Sequence, residues 1–141
     1  ASTLSNDISV IKLSVPIELN EYIQPAQLPI KQESYNAYDG EQAIASGWGK
    51  ISDSRWCQWC QQLICWYGGI LTSNVMCIKT TGGTSTCNGD SGGPLVLADS
   101  SNTLIGATSF GIVVGWPGVF VRIASYLDWF ENNIGVVSHG Y

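Results

Sequence analysis

The sequence predicts an all-β domain closed by one C-terminal helix, and three observations carry that prediction. Short β-branched and aromatic runs recur along the chain, each bounded by Gly, Pro, Asn or Asp. Of the 141 residues 45% are hydrophobic and only 12% charged, with 16 Gly and 6 Trp, which suits a compact, turn-rich β protein and excludes a disordered one. Apolar residues change from a two-residue to a helical period only at the end, where Ile123, Leu127, Phe130 and Ile134 share a face.

The elements follow in order. Ile8, Val10, Ile11, Leu13 and Val15 nearly alternate up to Pro16, predicting a strand over 8–15. Tyr22 to Ile30 holds Pro25 and Pro29 and reads as a surface connector. After the Asp39-Gly40 turn signal, Gln42 to Gly49 is a second strand that closes on Gly47-Trp48-Gly49. Further strands are predicted at 74–78, 95–97, 104–110 and 119–122, with Asp99 to Asn102 as a hairpin loop, and the helix over about 124–134.

Net charge is −5 and the six Lys and Arg are scattered singly, so no basic patch is present to hold a nucleic acid or an acidic membrane. No apolar run approaches the roughly 20 residues of a membrane span. The five cysteines are an odd number, so a disulfide framework within the chain leaves at least one thiol over. Cys57 and Cys60 have the spacing that opens a zinc site or a redox pair, with Cys65 and Cys87 available as further ligands. Trp56, Trp59 and Trp66 crowd that segment and no strand-to-helix context surrounds it. No metal and no cofactor are expected.

The chemistry lies in Cys87-Asn88-Gly89-Asp90-Ser91-Gly92-Gly93-Pro94. Glycines on both sides let the backbone approach a substrate and set Ser91 on a turn with its hydroxyl outward. The N–H groups of Gly89 and Ser91 can then converge on a developing oxyanion. The run resembles the active-serine segment of the chymotrypsin-like (trypsin-fold) serine proteases, matching its Gly-Asp-Ser-Gly-Gly-Pro core residue for residue. Asn6-Asp7 before an apolar run, Ser46-Gly47-Trp48-Gly49, Thr108-Ser109-Phe110-Gly111, and Pro117 to Trp129 resemble further segments of the family, in the family order.

The resemblance implies the second antiparallel six-stranded barrel of a double-barrel protease plus its C-terminal helix, over residues 31–141. Residues 1–30 would be a strand and linker from the first barrel. Double-barrel domains run to roughly 200–250 residues, which leaves this chain roughly 60 to 110 short. Ser91 would be the nucleophile and Asp7 the acid that orients a histidine base. The chain's one histidine, His139, sits in a polar tail, whereas the family carries its base upstream of the acid strand. Asp90 would pair with a freed N-terminal amine to shape the oxyanion hole, but the chain begins Ala1-Ser2-Thr3. The 141-residue chain alone is therefore expected to be inactive.

By the same resemblance Ser85 would stand at the floor of a specificity pocket, with Thr86 beside it, Gly111 and Gly118 as walls, and Ser109 on the strand that lies against substrate. An open, uncharged pocket favours a large apolar side chain. Cys65 and Cys77 would form a loop-stapling disulfide, while the short 112–116 loop deprives Cys87 of its family partner. The implied protein is a secreted endopeptidase acting on peptides or proteins and open to protease inhibitors. The rival reading is a non-catalytic homologue acting as a binding module. A Cys-x-x-x-Cys flank around Ala-Ala-His upstream would decide for the enzyme.

Overall fold

The computed structural model describes residues 5–32, 38, 40–48, 73–78, 86, 89–110 and 118–136. Five strands are present among them: β1 (Ala43–Ala45), β2 (Val75–Cys77), β3 (Pro94–Leu97), β4 (Leu104–Phe110) and β5 (Val119–Arg122). They form one antiparallel sheet in the order β1-β3-β4-β5-β2. Pro94, which has no N–H to give, opens its strand, a position where the ladder loses least.

Strands β4 and β5 coincide with the predicted 104–110 and 119–122, because their apolar residues are packed on both faces of the sheet. Met76, Leu95, Ile105 and Phe120 make one buried cluster. Val121, Ile123, Tyr126, Leu127 and Phe130 make another, against which Ile8 and Leu28 lie. Gly106 is squeezed between Leu95 and Phe120, where a Cβ would come within 3.2 Å of both. β1 is shorter than the predicted 42–49.

Two irregularities bend β4. Between β3 and β4 the register slips after Leu95, and between β4 and β5 Thr108 faces Phe120 while Phe110 faces Val119. Ser109 is thus the extra residue of a bulge, the kind of break that re-aims a side chain. The loop Asp99–Asn102 joins β3 to β4 as predicted, with Asn102 left-handed (φ 51°) and Asp99 accepting from the Ser101 N–H at 2.9 Å. The Ser101 hydrogen bonds hold the Asp99 carboxyl below its usual pKa.

The predicted helix begins later than its periodicity suggests. Ile123–Tyr126 is a turn of 3-10 helix and α1 spans Leu127–Ile134. Gly135 ends it with φ 68° and returns its N–H to Glu131 at 3.1 Å, a left-handed cap. Lys31 pairs with Asp128 in the first turn and reaches Glu131 at 3.5 Å.

The strand predicted over 8–15 is not formed. Residues 5–26 carry no ladder, and the connector meets the sheet by a single parallel bridge, Gln27 to Thr103. The alternation is real, but a strand needs a neighbour to take its backbone groups, and none of the described strands lies beside it. Ile8 lies against the core, but the apolar side chains that follow it face outward: Ile11 is 82% exposed and Val15 71%.

Candidate active site

The Ser91 turn is built from its glycines. The Gly93 N–H donates to the Asp90 carbonyl at 2.8 Å and Gly92, with φ 79°, takes the third position. That is the type II pattern, which needs positive φ where Gly92 stands. Ser91 occupies the preceding corner and is exposed. Gly89 also has positive φ, 106°, just before Asp90. The turn docks on β4 through Gly92 N–H to the Thr108 carbonyl at 2.8 Å and Thr108 N–H to the Gly93 carbonyl at 2.9 Å. A Cβ on Gly93 would press on the carbonyls of Asp90 and Ser46, and one on Gly47 would collide with the Asp90 carboxylate. Gly47 and the Ser91 turn therefore meet in close contact around Asp90.

Asp7 arrives from the opposite end of the chain. Ser109, turned out by the bulge, donates from Oγ to Asp7 Oδ2 at 2.6 Å. Thr108 thus holds the Ser91 turn and Ser109 holds Asp7, on adjacent residues of one strand. Thr86 is placed beside Gly118, whose Cβ would lie 2.5 Å from Thr86 Oγ1. Cys77 ends β2. Ser85, Gly111, Cys57, Cys60, Cys65, Cys87 and His139 lie outside the described residues.

Sequence reasoning missed Asn6 and Tyr126 as neighbours of this site. The Tyr126 hydroxyl donates to Asn6 Oδ1 at 2.9 Å. Burial raises the Tyr126 pKa, a hydrogen bond from Asn74 opposes the rise, and the Asp7 charge adds to it. Tyr126 lies outside the apolar stripe read from the helical period, and nothing in the sequence signals where its hydroxyl points. Among the described residues no cluster of metal-ligating side chains occurs and no helix is long and apolar enough to cross a membrane. A 450 Å³ hollow lies under Leu28 to Gln32, and none of the residues named for the site lines it.

The Trypsin family matches residues 1–130. The chain belongs to the trypsin family of serine proteases. This trypsin-family chain is 41% identical to Serine protease 1 of Drosophila melanogaster over 149 residues, covering 96% of the chain and 56% of that relative. Brachyurin of Leptuca pugilator is 35% identical over 152 residues, covering 94% of the chain and 62% of the relative. The solved structure of HL collagenase superposes with a TM-score of 0.70 at 36% identity, covering 85% of the chain and 57% of that structure. The chain spans a little over half the length of these relatives. Its sheet and C-terminal helix have the trypsin fold.

Proposed function

We propose that the chain carries the nucleophile and the orienting acid of a secreted serine endopeptidase. Ser91 is the nucleophile, Asp7 orients the base, and the N–H groups of Gly89 and Ser91 receive the oxyanion. The observation that supports this most is the attachment of Asp7 and of the Ser91 turn to neighbouring residues of β4.

On the template of this family, Ser91 Oγ attacks the peptide carbonyl carbon while its proton passes to a histidine. The same proton then goes to the departing amine as the C–N bond breaks, and water hydrolyses the acyl-enzyme by the same route. The histidine is proposed to come from outside these 141 residues, with residues 1–30 as the edge of a first barrel and 31–141 as the second. The outward-facing Val10, Ile11, Leu13 and Val15 support that division.

Ser109 lines the substrate, and Ser85, Thr86, Gly111 and Gly118 form an uncharged pocket that prefers large apolar side chains. The contact of Thr86 with Gly118 supports the pocket. Asp90 shapes the oxyanion hole, and Cys65 pairs with Cys77.

The test is hydrolysis of an amide substrate with an aromatic residue before the scissile bond, together with fluorophosphonate labelling. The 141-residue chain alone is expected to be inactive. The longer polypeptide that supplies a histidine is expected to turn over, with activity lost in Ser91→Ala. Serine-dependent turnover by the short chain alone overturns the reading of its base. Absence of turnover and labelling in the longer polypeptide favours the binding-module homologue.

A further inference from the structure

Asp7 stands in a stretch with no ladder to hold it, yet its neighbour is anchored twice. Asn6 is left-handed at φ 60° and its carbonyl accepts from the Ile8 N–H at 2.8 Å, so the chain turns sharply about Asp7. Asn6 Oδ1 accepts from the Tyr126 hydroxyl at 2.9 Å and from the Asn74 amide at 3.5 Å. The two donors belong to elements that are themselves tied together. Arg122 N–H reaches the Asn74 carbonyl at 2.7 Å, and Arg122 Nε and Ser125 Oγ reach the Ser73 carbonyl at 3.1 and 3.4 Å. Tyr126 is buried, 7% exposed, in the cluster that Ile8 packs against.

We propose that Tyr126 and Asn74 are positioning residues that act through Asn6 to hold the Asp7 carboxylate on Ser109. A carboxylate fixed only by its own hydrogen bond, on an exposed and unpaired stretch, is free to swing with its backbone. A second attachment on the preceding residue sets the direction of the chain and leaves Asp7 one way to face. Catalytic groups need to be held within about 0.5 Å of the productive geometry, which is what a two-point grip supplies. The proposal rests on the reading of Asp7 as the orienting acid.

Two variants test it with little risk to the core. Tyr126→Phe keeps the buried ring and removes the donor. Asn6→Gly keeps the left-handed backbone and removes the acceptor. The readout in the protein is the carbon-13 signal of the Asp7 carboxyl, assigned with Asp7→Asn, alongside the methyl signals of Ile105 and Val121. One sharp carboxyl line is expected in the parent, and a broadened or shifted line in both variants with the methyls unchanged. In the longer polypeptide that supplies the histidine, Tyr126→Phe is expected to lower kcat roughly 10- to 100-fold at unchanged KM, the usual scale for a misplaced catalytic group. A sharp, unshifted Asp7 line in both variants overturns the grip. Absence of Ser91-dependent hydrolysis by the parent overturns only the reading of the site, since the carboxyl line still decides the grip.

Discussion

Gly47 and Gly93 both lie against Asp90, but what a methyl group would meet differs. At Gly47 the obstacle is the carboxylate end of a side chain; at Gly93 it is backbone, the carbonyls of Asp90 at 2.8 Å and Ser46 at 3.1 Å. A side chain can rotate away, whereas moving those carbonyls breaks the turn. Gly93→Ala is expected to cost the upper part of the 1–3 kcal/mol typical of overpacking, and Gly47→Ala less, by urea unfolding. Gly47→Ala is instead expected to displace Asp90, visible as a shift of its neighbours' amide signals. Equal costs for the two substitutions would contradict this packing.

Tyr126 gives the residue scale a pH dependence. Burial raises its pKa above the ordinary value of 10.0, so the folded state binds the proton more tightly than the unfolded state. That contribution to stability is complete below about pH 10 and is lost as pH climbs through the raised range. Tyr38 is also raised by burial, with Arg122 opposing, and acts in the same direction. Tyr126→Phe is expected to flatten the alkaline fall in melting temperature without abolishing it. These polar contacts are the part of the site that the sequence hid. Asp7, Ser91 and their glycines are legible because they stand in motifs that resemble the family's, but no motif around Tyr126 marks the partner of its hydroxyl.

At the scale of elements, legibility followed burial. Where a strand is covered on both sides, as at Val119 to Val121, its apolar run has only one use and its limits can be read directly. The stretch 8–15 shows the opposite case. Alternation reports which side chains are apolar and says nothing of whether another strand is there to pair with. The Ser109 bulge is equally silent, because one extra residue leaves no trace in an apolar pattern. α1 lies between these cases. Leu127 and Phe130 are buried as the period requires, while Ile134 is 45% exposed at the last position of the helix. Phe130→Ala is expected to cost about 3–5 kcal/mol in denaturant unfolding, and Ile134→Ser to stay within about 0.5 kcal/mol. Similar costs at the two positions would mean that the helix sits on the sheet differently.

Taken together, the described residues present an unbalanced surface. Ile11, Val15, Ile17, Leu19 and Tyr22 are each more than half exposed along one stretch. Exposed apolar runs of this kind mark sites of association. The 141-residue chain is expected to self-associate at micromolar concentration and to enhance the fluorescence of a hydrophobic dye. The double substitution Ile11→Lys and Val15→Lys is expected to reduce both, measured by sedimentation. A monomeric, dye-silent parent chain would mean that this stretch is covered in solution.

The hydrogen bonds that gather Asp7 and Asn6 close loops of 102 and 120 residues. Contacts so distant in sequence are costly to form until the intervening sheet has brought their ends together. The order of events follows: hairpins such as β3 with β4 form early, and the grip on the acid is among the last contacts made. Substitutions at Asn6 and Ser109 therefore belong to the unfolding limb of a chevron, accelerating unfolding while leaving the refolding rate nearly unchanged. The contacts that hold Asp7 in place are thus expected to be among the first to open.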